Sequence, residues 1–257
     1  MITKLIVRGL VAGLLAGLLA AVFAYAVGEP RIDQAIALEE AAAAVAAPAG
    51  DVGGTATGTH SHEAGTEEAA HSHGEEALVS RNGQRFGLFL ALGLYGLAVG
   101  GLFALVYAAV RGRAGPRSEP ALAVTLAAAA FLAVVLVPFV KYPANPPAVG
   151  DPGTIGQRTV LYLVAVAIGL LAVAAGVAAH RYASGGEPWV RWLVTGAAVL
   201  VPVVAAWALM PRIAEVPRGF PADLLWDFRV ASLGTQVVFW AGIGVLFAFA
   251  ARRRTPV

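Results

Sequence analysis

The chain alternates between long apolar segments and shorter polar ones. A helix that spans a bilayer needs about 20 mostly apolar residues, and six segments meet this requirement without an Asp or Glu in their interiors. The polar segments between them are rich in Pro, Gly and charge, which is typical of connections. This pattern predicts an all-α, polytopic integral membrane helix bundle with about six transmembrane helices. The predicted spans are residues 5–27, 87–110, 120–140, 159–180, 190–210 and 230–251.

The first apolar segment allows two interpretations. Its basic start at residues 4–8 and a small-x-small sequence at 24–26 are typical of a signal peptide, whose cleavage would leave five spans. Gly9, Gly13 and Gly17, however, repeat at intervals of four and place a smooth stripe on one helix face, which favours close packing against another helix. A signal peptide needs no such stripe, so we expect the helix to be retained. Milder versions of the stripe occur at Gly96 with Gly100, and at Gly169 with Ala172 and Gly176.

Composition narrows the chemistry that this chain can perform. Only 13% of its residues are charged, whereas about 25% is usual in a soluble domain. Cysteine is absent from the sequence, so a metal ion would be bound by imidazole and carboxylate groups, which suit Co²⁺, Ni²⁺, Zn²⁺ or Cu²⁺. No Walker motif, HExxH motif or Ser/His/Asp arrangement occurs. We therefore expect a protein that is not an enzyme and that binds no resident cofactor.

The distribution of charge predicts the orientation in the membrane. With the N-terminus inside, the inner segments hold ten basic and two acidic residues, and the outer segments hold eight basic and fourteen acidic ones. Basic residues are enriched in cytoplasmic loops, so this pattern predicts cytoplasmic N- and C-termini. The basic pI near 9.1 is therefore explained by basic residues on the predicted cytoplasmic side. It does not indicate nucleic-acid binding.

The long segment between the first two spans carries most of the histidine. His60, His62, His71 and His73 are four of the five histidines in the chain. Each His-x-His pair can offer two imidazoles to one metal ion, and the acidic residues around the pairs attract cations. Residues 41–80 contain few bulky apolar groups, so we expect a disordered extracytoplasmic loop that collects ions loosely. The alternative is a solvated low-complexity loop with incidental histidines.

Carboxylates in the other outer segments are candidates for a metal pathway. Asp151 follows a stiff, proline-rich stretch, and Asp223 and Asp227 lie in a segment that we predict to be a short interfacial helix. Together with Asp33 and Glu29, which follow the first span, these carboxylates are predicted to line an outer vestibule. An anchored turn is the simpler alternative for the segment around Asp223.

Several of these segments also resemble a known family, the probable cobalt transporter subunit CbtA, over nearly the whole chain. The most specific is the run at 140–150, Val-Lys-Tyr-Pro-Ala-Asn-Pro-Pro-Ala-Val-Gly. The others are Glu-Pro-x-Ile-Asp-x-Ala-Ile at 29–36, the His-rich acidic loop, Arg-x-x-Gln-Arg at 81–85, Thr-Ile-x-x-Arg at 154–158, Phe-Pro-Ala-Asp-Leu-Leu-Trp-x-Phe-Arg at 220–229 and Ala-Ser-Leu-Gly-Thr-Gln at 231–236.

The resemblance implies an inner-membrane component of cobalt uptake that is linked to cobalamin synthesis. It also implies a small, single-span partner subunit that bears histidine. The family is commonly described as having about five spans, whereas six apolar segments occur here.

The sequence therefore predicts a membrane subunit that captures a divalent transition metal on the outer side and helps to pass it inward. Co²⁺ is the expected ion, with Ni²⁺ and Zn²⁺ as alternatives. The first ligands would be His60, His62, His71 and His73, and the handover residues Asp33, Asp151, Asp223 and Asp227. The rival hypothesis is a membrane-anchored metal buffer or sensor that does not transport, and the lack of charged residues within the spans favours it.

Overall fold

A computed structural model describes residues 2–46 and 80–252 of the chain. These residues form α-helices joined by short turns, without a β-strand, which confirms the all-α prediction. The helices are α1 (Ile2–Phe23), α2 (Glu29–Ala46), α3 (Arg81–Val110), α4 (Glu119–Phe131), α5 (Val137–Lys141), α6 (Ile155–Tyr182), α7 (Pro188–Leu209) and α8 (Ala222–Ala251).

Six helical segments within the described ranges are long and apolar enough to cross a membrane, as the sequence predicts. They include two composite helices, because α1 continues into α2 and α4 continues into α5, each through a π-helical turn. These six segments are Ile2–Val45, Arg81–Val110, Glu119–Lys141, Pro152–Gly185, Pro188–Leu209 and Ala222–Ala251.

Both π turns lie just before a proline. Proline lacks an N–H group and its ring crowds the carbonyl four residues earlier, so Pro30 and Pro138 each remove one α-helical hydrogen bond. The π turn Ala24–Gly28 precedes Pro30, and there the N–H of Glu29 bonds to the carbonyl of Ala24, five residues back. The wider turn lets the helix continue into α2, so the composite helix does not end near residue 27, where the sequence predicts the end of the first span.

The second π turn, Leu132–Leu136, contains a backbone carbonyl that loses its usual α-helical donor. Because Pro138 has no N–H group, it cannot bond to the carbonyl of Val134. The hydroxyl of Tyr162, on α6, donates to that carbonyl at 3.2 Å. A carbonyl without a partner is costly in the apolar part of a membrane, so this bond links α6 to the π turn between α4 and α5.

The C-terminal part of α2 differs from the expectation for residues 41–80. Residues 41–46 are helical, because the run of alanines there has the highest intrinsic helix propensity. The predicted disordered segment otherwise falls on residues 47–79, which lie outside the described residues together with His60, His62, His71 and His73.

The glycine stripe of α1 packs against α3, which confirms the predicted helix contact. A Cβ atom built on Gly13 would lie 2.0 Å from the carbonyl oxygen of Gly96, and one on Gly9 would lie 2.3 Å from that of Gly100. No side chain fits in this space. Glycine therefore lets the two backbones touch, and α1 is held between α3 and α8.

The packed core lies among α1, α3, α4 and α8. Its largest side chains are aromatic: Phe247 of α8 meets Phe103 and Tyr107 of α3 with ring centroids 5.2 Å and 4.8 Å apart. In contrast, α7 packs mainly against α6 and has no buried residue. One edge of the bundle thus presents nearly all of a long apolar helix to its surroundings.

Replacing Gly13 by Ala should lower stability by about 1–3 kcal/mol, because the added methyl overpacks a backbone contact. The matched control is Gly87→Ala, also on a long helix, where a Cβ would meet no atom within 4 Å. Thermal unfolding in detergent should show a lower midpoint for Gly13→Ala and an unchanged or slightly higher one for Gly87→Ala. Equal midpoints would contradict the observed α1–α3 contact.

Candidate functional site at the distal end of the bundle

The polar side chains that could act on a ligand gather at one end of the bundle, called here the distal end. It comprises α2, the start of α3, the segment 142–154 between α5 and α6, and the segment 210–221 between α7 and α8. The opposite, proximal end holds the segments 111–118 and 183–187. Charge sorting predicts that the distal end faces outward.

Four charged residues link α2 to α3 and form what we call the clamp: Glu29, Asp33, Arg81 and Arg85. A carboxylate oxygen of Glu29 lies 3.0 Å from Arg81 Nη2 and 3.5 Å from Arg85 Nε. Asp33 accepts hydrogen bonds from Arg81 Nε at 2.9 Å and from Arg85 Nη2 at 3.2 Å. Each acidic residue thus contacts both arginines.

The clamp forms because each pair is spaced by four residues on its helix. Side chains at i and i+4 lie on one face, so Glu29 and Asp33 present two carboxylates together, and Arg81 and Arg85 present two guanidinium groups opposite them. Glu29 is only 8% exposed, so its charge depends on these partners. As a consequence, the base of α2 is fixed beside the start of α3, and α2 continues beyond the clamp to Ala46, the residue before segment 47–79.

A second feature of the distal end is a cavity of about 540 Å³, called here the distal pocket. It lies between α5, α6 and α8 and is covered by the segments 142–149 and 213–216. Its volume falls within the range of 300–1,000 Å³ that is common for ligand sites. The polar groups that line it include Lys141, Asn145, Arg158, Glu215, Arg229 and Gln236.

Glu215 holds two segments together beside this pocket. Its Oε1 accepts from the hydroxyl of Thr154 at 2.6 Å, and its Oε2 accepts from the backbone N–H of Asp151 at 3.0 Å. Arg158 Nη1 lies 3.4 Å from the same carboxylate. The Thr154 hydrogen bond, the Asp151 N–H and the nearby Arg158 charge lower the pKa of Glu215 from its ordinary value of 4.5.

The loop over the pocket needs an unusual backbone. Gly150 adopts φ +128°, and a Cβ there would lie 2.6 Å from Arg158 Nη1, so glycine permits both the loop conformation and the approach of the guanidinium group. Ala148 also has a positive φ, of 65°. The loop is fastened to α8 by Arg229, which donates to the carbonyl of Ala144 at 3.3 Å and to Asn145 Oδ1 at 3.1 Å.

The structure places the predicted handover carboxylates in different surroundings. Asp33 belongs to the clamp. Asp151 is exposed, and its side chain accepts from the N–H of Gly153 at 2.8 Å. Asp223 and Asp227 are exposed on the first two turns of α8. Within residues 2–46 and 80–252, no three His, Asp or Glu residues are grouped closely enough to hold a metal ion, so the pathway role of these carboxylates stays a prediction.

The segment around Asp223 begins a span, whereas a separate interfacial helix is predicted. Helix α8 runs without a break from Ala222 to Ala251. Glycine at 234 does not interrupt it, because there α8 packs against Phe23, whose ring would lie 2.8 Å from an added Cβ. The two predicted elements are therefore one helix.

Sequence reasoning did not find the clamp pairing or the cations of the distal pocket. The clamp had a signal, because acidic residues at 29 and 33 and basic residues at 81 and 85 have the same spacing and flank one loop. Glu215 had none, and the family-like motif that ends at Arg229 did not indicate which segments this arginine would contact. The two residues are isolated charges in separate segments, and only the packing of α6 against the neighbouring helices brings Arg158 to Glu215.

In the part of the chain that the structure describes, six apolar helical segments with a polar pocket and an ion-pair clamp at one end define a multi-pass membrane protein. Among protein families, the model described as "Probable cobalt transporter subunit (CbtA)" matches residues 2–252. The chain therefore belongs to this family, as its sequence motifs predict. Comparisons with curated proteins and with solved structures find no match.

The bonds of Glu215 should make stability depend on pH. A carboxyl group whose pKa is lower in the folded protein stabilises the fold above its unfolded pKa, and this contribution is lost as the pH falls through the folded pKa. Glu215→Gln should therefore flatten the fall of the thermal midpoint below about pH 4.5. Glu40→Gln, at an exposed site on α2, is the control and should leave the profile unchanged. If the thermal midpoint depended on pH identically in the unaltered protein and both variants, Glu215 would not have the role proposed for it.

Proposed function

We propose that this cobalt transporter subunit captures Co²⁺ on the outer face of the inner membrane and helps to pass it inward for cobalamin synthesis. His60, His62, His71 and His73 are the proposed first ligands, assisted by nearby glutamates. Neutral imidazole and carboxylate groups suit Co²⁺, with Ni²⁺ and Zn²⁺ as competitors. Because imidazole must lose its proton to bind, capture should weaken below about pH 6.

The observation that carries this proposal is the clamp. The His-bearing segment runs from α2 to α3, and ion pairs between Glu29 or Asp33 and the two arginines join the helices that flank it. The base of α2 and the start of α3 are therefore joined at the distal end, which supports placing the His-bearing segment there. Helix α8 connects this region to the distal pocket, since it packs against Phe23 and also contributes Arg229 and Gln236 to the pocket.

The same proposal assigns the orientation. Cytoplasmic N- and C-termini would place the clamp and the distal pocket outside the cytoplasm, where an imported ion arrives. The six acidic residues of segment 47–79 would then raise the local concentration of cations. Asp151, Asp223 and Asp227 are exposed at this end and are proposed as transient ligands after capture.

We also propose that a small, single-span, His-bearing partner subunit completes the transporter, with α7 as its docking helix. Helix α7 exposes large apolar side chains along its length, among them Leu193, Leu200 and Val204, and has no buried residue. An apolar helix exposed on all but one side can accept either lipid or another helix. A second spanning helix here would bury this surface without disturbing the core.

Deleting residues 58–76 should distinguish transport from the alternative of a metal buffer or sensor. In a transporter the deletion removes a collecting segment, so cobalt uptake by cells should need a severalfold higher external concentration but retain its maximal rate. A buffer should lose all cobalt binding and show no uptake in either form. The measurement is accumulation of radioactive cobalt in cells that contain the chain with or without its partner.

Two controls sharpen this uptake assay. Replacing the four histidines by alanine should reproduce the deletion, whereas His180→Gln should not, because His180 lies near the proximal end and contacts Thr195 at 3.2 Å. Equal cobalt accumulation with and without the chain would exclude the proposed function.

A charge exchange tests whether the clamp positions the collecting segment. Arg81→Asp places three carboxylates together, so it should weaken uptake at low cobalt severalfold and lower the unfolding midpoint. The double variant Asp33→Arg with Arg81→Asp restores opposite charges and should recover part of both losses. If the single variant unfolds normally and transports normally, the clamp has no part in capture.

A further inference from the structure

The distal pocket carries an excess of positive charge that its own residues do not compensate. Lys141, Arg158 and Arg229 line it, with Glu215 as its single carboxylate in the described parts of the chain. Glu215 pairs with Arg158 at 3.4 Å. Lys141 donates to the backbone carbonyl of Trp207 at 2.7 Å, a neutral partner, so two cations at the pocket lack a counter-charge.

Of these two positive groups, Arg229 is the better candidate for binding an anion. It is half-buried, and its hydrogen bonds in the described structure go to neutral oxygens, the Ala144 carbonyl and the Asn145 amide. A buried charge is costly unless it is paired. A guanidinium group has five N–H donors in a planar fork, so Arg229 keeps donors free for a bidentate bond to a carboxylate.

The pocket also contains an unused acceptor. Gln236 lies two turns after Arg229 on α8, and its Oε1 is buried without a hydrogen-bond partner in the described structure. Ser232 lies between them on the same helix and also lines the pocket. A ligand that places a hydroxyl near Gln236 while its carboxylate meets Arg229 would satisfy both unmatched groups.

The lining favours a small soluble molecule over a lipid tail. Lys141 and Arg229 line the pocket without a carboxylate partner, so an acyl chain there would bury charged groups that it cannot pair. A separate groove of about 220 Å³ between α5, α6 and α7 is lined by apolar side chains, apart from Lys141, which the two cavities share. An acyl chain fits that groove better.

We propose that the distal pocket binds a small soluble hydroxycarboxylate, with Arg229 and Lys141 holding its carboxylates and Gln236 its hydroxyl. This inference rests on the charge and hydrogen-bonding groups of the pocket and is independent of the proposed capture of cobalt by the histidines. The hydroxycarboxylate would be a second, negatively charged ligand, beside the cobalt ion that the family description names.

Calorimetric titration of the purified, metal-free protein in detergent tests this proposal, with citrate as the probe. Citrate should bind and raise the unfolding midpoint, and tricarballylate, which lacks the hydroxyl, should bind severalfold more weakly. Arg229→Gln should reduce citrate affinity at least tenfold. Arg113→Gln, an equal loss of charge at an exposed proximal site, should leave it unchanged.

Three results would overturn the proposal: no citrate binding at millimolar concentration, equal affinity in folded Arg229→Gln, or binding of phosphatidylglycerol micelles in place of citrate. If Arg229→Gln does not fold, Lys141→Gln supplies the second variant and should also weaken citrate binding severalfold. Gln236→Leu should make the affinities for citrate and tricarballylate equal, because it removes the acceptor for the hydroxyl.

Discussion

The contact between the backbones of α1 and α3 is the constraint on which the distal end depends. Gly9 and Gly13 meet Gly100 and Gly96 so closely that any side chain would be excluded. This contact fixes the distance between the two helices, and α2 continues directly from α1. The carboxylates of α2 consequently reach Arg81 and Arg85 at the start of α3. A pattern of small residues in the apolar helices thus determines the geometry of ion pairs outside the apolar region.

Prolines shape the other half of the bundle through the hydrogen bonds that they remove. Pro138 leaves the Val134 carbonyl without its usual donor, and Tyr162 supplies one from α6. This bond joins α6 to the π turn that leads into α5, and the distal pocket lies beside these helices. The stiff loop that follows α5 then covers the pocket, with Gly150 giving Arg158 room to reach Glu215.

Periodicity and composition were enough to predict the helices, because a segment of about 20 apolar residues has few stable alternatives in a bilayer. The glycine stripe on α1 could also be predicted, because a spacing of four residues places the glycines on one face of a helix. The continuation of α1 into α2 could not be predicted, since it depends on a π turn that absorbs Pro30. The distal pocket was also missed, because Lys141, Arg158, Glu215 and Arg229 come from four separate segments and meet only after the helices pack.

The charges of the distal end bear directly on how a divalent cation could pass it. A bare ion in the distal pocket would lie near Lys141 and Arg229, and the carboxylate of Glu215 is already engaged by Thr154, Asp151 and Arg158. Repulsion would therefore oppose its residence there. An anionic ligand in the same pocket reverses the local field, so a metal ion released from imidazole ligands could enter as a carboxylate complex. Binding of an anion in the pocket is thus the step that would let a metal cation enter it despite the positive charges of its lining.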